Sequence, residues 1–330
     1  MSGKSRRAAP ALGATGLVLF LALSLSACVL DVPYDKYAIV YGVSDYQTGI
    51  RDLTYADDDA VAMASLLAGQ GFQVLTKTDR EDVDELPEQH ASKANLLIDI
   101  ATIAALAPKE DDLFVFYFSG HGGQASSGEE STGGDGLNEY IYLYGSDDLS
   151  NLSLAFSDDE LVAAFSPIAA RKKVIILDSC NSGGFIGNEL EADGEPSSLI
   201  EGNGGIVDLA ARAIRLYANF DGSSADIPPW EALVLSASGE REFSYESPEE
   251  DPVGVFNGPL LYHGVFTYYL LQAETEGDLN HDGWVTVTEA FAYTQKMIYQ
   301  YWNYAYGFPS DAFSPHVSGG PVDYVLLEAR

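Results

Sequence analysis

Apolar runs with almost no polar alternation recur along the chain, and the segments between them change to helical spacing. Tyr37-Ala-Ile-Val-Tyr-Gly-Val43 is the first, followed by Leu113-Phe-Val-Phe-Tyr-Phe118, Lys173-Val-Ile-Ile-Leu177 and Ala232-Leu-Val-Leu-Ser236. Such runs are expected of buried strands, and the nearly unbroken ones of strands covered on both faces. Phe72-Gln-Val-Leu75 reads as a further, short strand. Between Asp57 and Ala68, the spacing of Ala60, Val61, Ala64 and Leu67 predicts a helix that Gly69 or Gly71 can end. An acidic loop containing Pro87 leads to a second helix, Lys93 to Leu106, stopped by Pro108. A third helical segment spans Asp158 to Ala170.

Strands alternating with helices predict an α/β fold with a mostly parallel central sheet and helices on both faces. Ligand chemistry on such a sheet belongs at the C-terminal ends of its strands, so the loops starting at Ser119 and Asp178 should share one edge. Three Gly-rich or acidic stretches interrupt the pattern: Ser126 to Gly136, expected to be a mobile loop, Gly187 to Gly205, and Glu246 to Pro259. They read either as solvated connections or as the borders of a cleft. No internal repeat or second domain boundary is visible. The aromatics Tyr293, Tyr299, Tyr301, Trp302, Tyr304 and Tyr306 suggest a C-terminal helix merging into an ordered loop, with these rings as packing groups.

The N-terminus follows a different rule. Lys4, Arg6 and Arg7 precede an apolar stretch from Ala11 to Leu25 that is short for a membrane-spanning helix, and Ser26-Ala27-Cys28 follows. That order is a secretory leader with small residues before the cut. Leu25-Ser26-Ala27-Cys28 also resembles the bacterial lipoprotein box, which implies a leader over 1–27 and lipidation of Cys28 as the mature N-terminus. Residues 28–36 would then be the tether and 37–330 one exported domain, anchored to a membrane outside the cytoplasm. Val29 does not favour inner-membrane retention, so a Gram-negative host would place it at the outer membrane. An uncleaved anchor with an incidental cysteine is the alternative.

Candidate chemistry sits at two strand ends. Ser119-Gly120-His121-Gly122-Gly123 follows the second long apolar run, and Asp178-Ser179-Cys180-Asn181-Ser182-Gly183-Gly184 follows the third. A lone cysteine beside a core strand is commonly a small buried hydrophobe. Here polar residues and glycines surround it at a strand end, the setting of an accessible turn. A histidine can take the thiol proton, the thiolate can attack a peptide carbonyl, and the imidazolium can protonate the leaving amine. Backbone N–H groups of Gly122 and Cys180 are candidates for stabilising the oxyanion. No third catalytic residue is evident.

Taken together, these residues resemble the caspase-like cysteine peptidases, and in particular their metacaspase-type bacterial branch. The resemblance runs from Tyr37 to Tyr301. It rests on Ala38 to Gly42, on Leu53 with Asp58, Asp59 and Ala60, and on the His121 and Cys180 motifs. It also includes Leu235-Ser236-Ala237-Ser238 and Gly264-Val265-Phe266-Thr267. It implies a caspase-like three-layer α/β/α fold, a His121–Cys180 dyad, a covalent acyl-enzyme, and no cofactor for the chemistry. In the metacaspase-type members the aspartate two places before the cysteine helps form a pocket for Arg or Lys at P1, and Asp178 matches that position. The alternative for Asp178 is a carboxylate that caps backbone and orders the turn.

Asp278-Leu-Asn280-His-Asp282-Gly283-Trp284-Val-Thr286-Val-Thr-Glu289 fits the twelve-position calcium loop. Asp278, Asn280, Asp282, Thr286 and Glu289 would supply side-chain oxygens and Trp284 a carbonyl. No clear helix is visible immediately before it, so it reads as part of a calcium hand, with structural or regulatory Ca2+. A plain Asp/Gly turn capping a helix from Thr288 is the alternative.

Charge narrows the partners. The chain has 50 Asp plus Glu against 17 Lys plus Arg, a formal net charge of -33 over 330 residues. That disfavours nucleic acid and suits cationic peptides or calcium. Only two cysteines are present, so no disulfide framework is expected. The leading expectation is a cysteine endopeptidase acting on peptide or protein substrates. The competing ones are a caspase-fold module that binds peptide without cutting it, an amidase using the same dyad on cell-wall peptides, and a calcium-dependent envelope protein.

Overall fold

Two apolar runs form the middle of the sheet. These are β3 (Leu113–Ser119), buried along its whole length, and β7 (Lys172–Asp178), buried from Lys173 onward. They pair in parallel, with Ser119 opposite Asp178, so both loops that follow leave from the same edge. β1 (Lys36–Val43) flanks β3, and β2 (Gln73–Asp79) closes that side. On the other side β8 (Ala232–Ser236) joins β7 in parallel and β10 (His316–Ser318) joins β8 antiparallel. The order is β10-β8-β7-β3-β1-β2.

The computed structural model describes residues 34–46, 49–80, 86–106, 108–126, 137–146, 150–179, 232–238, 244–247, 260–304, 313, 315–318 and 323–330. Cys28, Cys180, Tyr306, the leader and the 187–205 stretch lie outside them. Tyr34–Arg330 forms one compact unit. Among the described residues no helix is long and apolar enough to cross a membrane.

Alternation along β1 shows why helices cover both faces. Ile39, Tyr41 and Val43 pack with Leu96, Ile100 and Ile103 of α2 (Lys93–Ala105) and with Leu161 and Phe165 of α3 (Asp158–Phe165). Ala38 and Val40 face the opposite layer. There they meet Ala60, Met63 and Leu67 of α1 (Ala56–Gly69), together with α4 (Val265–Glu276) and α5 (Val287–Met297). The result is the three-layer α/β/α sandwich with a mostly parallel sheet. Full burial of each large apolar side chain contributes roughly 1.5–3 kcal/mol, and Phe114, Phe116 and Phe118 are all fully buried. Gly42 interrupts the apolar run of β1 because α1 crosses it there: a Cβ would stand 2.2 Å from the Ala56 carbonyl oxygen.

Among the described residues the structure departs from the sequence reading in five places. α3 ends at Phe165 rather than Ala170. β2 extends through Thr76-Lys77-Thr78-Asp79, residues whose polarity suits an edge strand rather than a buried one. The sequence reading did not include β4 (Gly122–Ser126), which pairs antiparallel with β5 (Leu137–Ile141), and residues 127–136 of the expected loop lie outside the described residues. β5 pairs in turn with β6 (Phe156–Ser157). α4 ends at Glu276, so a helix does stand immediately before Asp278. Finally, α5 runs into a π-helical turn, Ile298–Asn303, that buries Trp302 yet leaves Tyr301 and Tyr304 exposed, so those two rings are not packing groups.

Candidate active site

His121 stands one residue beyond Gly120 at the end of β3, and is itself buried. A Cβ on Gly120 would lie 2.6 Å from Phe118 Cζ and 2.7 Å from the Tyr46 hydroxyl, so only glycine lets the chain turn here. The Tyr46 hydroxyl accepts the His121 backbone N–H at 2.7 Å and donates to the Tyr142 carbonyl at 3.1 Å. The ring of Tyr46 also lies against the imidazole, at 4.9 Å between centroids. Nε2 of His121 is 2.7 Å from the Arg51 carbonyl oxygen. A carbonyl can only accept, so Nε2 carries the proton and Nδ1 of the neutral ring is the acceptor. The Arg51 carbonyl is thus the orienting group that sequence reading did not find.

Asp178 is buried at the end of β7. Its carbonyl accepts the Gly120 N–H at 3.2 Å, which ties the turn after β7 to the turn before His121. Its carboxylate accepts the Ser244 hydroxyl at 2.5 Å, and the Thr267 hydroxyl and N–H at 2.6 and 3.1 Å. Thr267 lies in the first turn of α4, whose N-cap Gly264 offers no side chain, so Asp178 caps that helix from outside.

A second buried carboxylate, Asp59 in the first turn of α1, meets Asp178 at Gly264. It accepts the Gly264 N–H at 3.1 Å, the Ser119 hydroxyl at 3.1 Å and an imidazole N–H of His263 at 2.8 Å. A Cβ on Gly264 would touch Oδ2 of both aspartates at 2.6 Å, so the missing side chain is what lets the two converge. Together with Ser119, Ser179, Ser244 and Glu246 they line an open cleft. Among the described residues the buried Ser179 hydroxyl there has no hydrogen-bond partner. Of the sequence-predicted residues, the structure brings His121 and Asp178 to one edge, with Gly122 entering β4 beside His121. Cys180, which follows Ser179, lies outside the described residues.

The calcium-loop residues are elsewhere, past the far end of α4, whose 12 residues span roughly 18 Å at a rise of about 1.5 Å per residue. The Asp278 and Asn280 side chains both accept the Asp282 N–H, at 3.1 and 2.9 Å, and Asp278 also accepts the Gly283 N–H. Asp282 accepts the Trp284 N–H. Glu289 is turned to the Thr286 N–H and hydroxyl in a capping box at the start of α5. β9 (Trp284–Thr286) pairs with β11 (Val325–Glu328). Among the described residues no three carboxylate, histidine or cysteine side chains are gathered as a metal shell.

The model of the caspase-domain family matches residues 35–305. The chain belongs to the caspase-domain family. Among solved structures, its fold is similar to protein GSU0716 from Geobacter sulfurreducens, with 20% identity and a TM-score of 0.50, covering 87% of this chain and 93% of that one. Caspase-1 from Spodoptera frugiperda aligns with 12% identity and a TM-score of 0.47, covering 86% of each chain. No curated protein matches at a significant level.

Within this caspase domain the aspartate pair sets the electrostatics. Burial pushes the Asp59 carboxyl up to about 7, and the neighbouring Asp178 adds to the shift against the hydrogen bond from His263. The same hydrogen bond raises His263 above its ordinary value, against its own desolvation. Both shifts are upward, so the folded chain holds protons that the unfolded chain releases. The His263 contribution is complete below about 6.5, where a free His titrates, and is lost as pH rises through its raised value. The Asp59 contribution is complete at low pH and is lost as pH rises from about 4, where a free Asp titrates, through its folded value of about 7. Asp59→Asn should therefore gain stability relative to the parent as pH rises across that window. Denaturant midpoints of both proteins at a series of pH values would check this, and two parallel curves would refute it.

Proposed function

We propose that this caspase-domain protein is a cysteine endopeptidase in which His121 and Cys180 form the dyad. The observation that carries the reading is the Nε2 contact of His121 with the Arg51 carbonyl, because it leaves Nδ1 as the base. Nδ1 takes the Cys180 thiol proton, and the thiolate attacks the scissile carbonyl. N–H groups of Gly122 and Cys180 stabilise the oxyanion. The imidazolium then protonates the leaving amine as the C–N bond breaks, giving a thioester. Water, deprotonated by the same imidazole, hydrolyses the thioester and restores the thiol. Nothing in this route requires a metal.

The cleft supports Arg or Lys at P1, since Asp59 and Asp178 both present carboxylate edges to it. Asp178 spends three acceptor contacts on Ser244 and Thr267. It therefore both builds the cleft and gives it charge, and Asp59 adds charge only once ionised, above about pH 7.

The calcium loop belongs to the same proposal. Helix α4, the loop and helix α5 have the helix–loop–helix order of a calcium hand, and β9 occupies positions seven to nine of the loop. Asp278, Asn280, Asp282, Thr286, Glu289 and the Trp284 carbonyl would hold Ca2+, with Glu289 drawn out of its capping box. The ion would lock the α4–α5 corner and the β9–β11 pair. The N-terminal segment supports export and lipid anchoring at Cys28 to the cell envelope, outside the cytoplasm.

Three measurements test these readings. Peptides varying only at P1 (Arg, Lys, Asp, Asn, Leu) should be cut by the full chain after Arg or Lys, and not by Cys180→Ala. Cutting after Asp or Asn would remove the pocket assignment, and absence of thiol-dependent cutting would favour a module that only binds peptide. Terbium luminescence sensitised by Trp284 should rise on titration and be competed by Ca2+, with Asp278→Ala abolishing it. A flat titration would leave the loop as a helix-capping turn. Palmitate should label the chain expressed in bacteria and leave Cys28→Ser unlabelled, whereas label in both would overturn the anchor.

A further inference from the structure

The loop that holds His121 is itself held from a distant part of the chain. Glu246 accepts the backbone N–H groups of Thr54 and Tyr55, at 2.9 and 2.8 Å, from more than 190 residues away in sequence. Tyr55 precedes α1 and provides no side-chain cap. The two N–H groups lie just before the helix, whose own Asp57 N–H is taken by the Ser44 hydroxyl, and an anion there suits the helix dipole. However, α1 already carries Asp57, Asp58 and Asp59 in its first turn. A fourth carboxylate is repelled by those three, and a neutral Ser or Asn would cap as well. Capping alone does not explain a glutamate reaching across the cleft.

The two segments it joins do explain it. Residues 244–247 are fastened to the α4 side of the cleft. Ser244 bonds Asp178, the Tyr245 carbonyl accepts the Val265 N–H at 2.8 Å, and Ser247 binds His263 and Leu261 at 3.0 and 2.9 Å. The Tyr245 ring packs on Trp302 and Phe313. On the other side, residues 51–55 connect β1 to α1 and present the Arg51 carbonyl to His121 Nε2. Arg51 itself is exposed. The Glu246 carboxylate grips the chain three and four residues further on.

We propose that Glu246 is a positioning residue of the site: by accepting the Thr54 and Tyr55 N–H groups, it fixes the loop whose Arg51 carbonyl keeps the proton of His121 on Nε2 and its base on Nδ1. The proposal rests on the peptidase reading for its kinetic consequence, but the contact it describes can be observed without turnover. Loss of the clamp lets the Arg51 peptide drift, and misplacement of about 1 Å in such an arrangement costs roughly a hundredfold in rate.

In the full chain, Glu246→Ala should lower kcat by about ten- to a hundredfold with little change in KM. Glu246→Gln keeps one carbonyl acceptor for the two N–H groups and should recover part of that loss. In parallel, the His121 Nε2–H proton resonance should be followed in Cys180→Ala, alone and combined with each Glu246 substitution. It should be sharp and slow to exchange in the parent, broadened or lost with Ala, and partly retained with Gln. A rise in KM at unchanged kcat would mean that Glu246 contacts substrate instead, and overturns the proposal. An unchanged resonance in both variants also overturns it, because the Ser44 and Asp52 contacts of the loop then suffice. If the parent cuts no peptide, the peptidase reading fails while the resonance still decides the role of Glu246. If the Ala variant does not fold, the Gln variant carries both measurements.

Discussion

Two buried carboxylates with one glycine between them organise the working edge of this molecule. A charge taken out of water costs several kcal/mol unless hydrogen bonds and partners replace its hydration. Asp59 and Asp178 find theirs in groups drawn from three separate segments: Ser119, Ser244, and the stretch that carries His263, Gly264 and Thr267. Satisfying them pins α1, α4, the end of β3 and the 244–247 strap to one another. Much of the cleft geometry follows from that requirement. Replacing either carboxylate therefore alters architecture as well as charge.

Helix ends are used in the same way. α1 and α4 both start without a side-chain cap, and each takes a carboxylate from a remote segment. α3 and α5, further from the cleft, are capped locally by Ser157 with Glu160 and by Thr286 with Glu289. A local cap stabilises one helix. A borrowed cap also fixes where that helix stands relative to its donor, and at this edge that second effect matters more.

How much of this could be read from the sequence depended on how local each signal was. β3 and β7 were legible because strands buried on both faces have nowhere to put a polar residue. β2 was read only as far as Leu75, since its later residues look like loop until the edge position is known. His121 and Asp178 stood out as polar residues among glycines directly after apolar runs. The Arg51 carbonyl was invisible, because any residue provides one. Asp57, Asp58 and Asp59 form an acidic helix start in which nothing local says that Asp58 faces water and Asp59 does not. Glu246 sat in a stretch that read as a solvated connection or a cleft border. Its importance lies in a contact that only the tertiary fold creates.

The order of strands has a bearing on how the chain is made. After β1 pairs with β2, the strands β3, β7, β8 and β10 are added to one side in the order in which they are synthesised. No strand has to insert between two that have already paired. Beyond β3 the growing sheet therefore presents only one advancing edge, and the next strand of that sheet to be made is the one that pairs with it. Parallel sheets with long crossovers are slow to form and expose sticky edges while they do so. Growth by accretion limits that exposure, and the antiparallel β10, from near the C-terminus, is the last strand added.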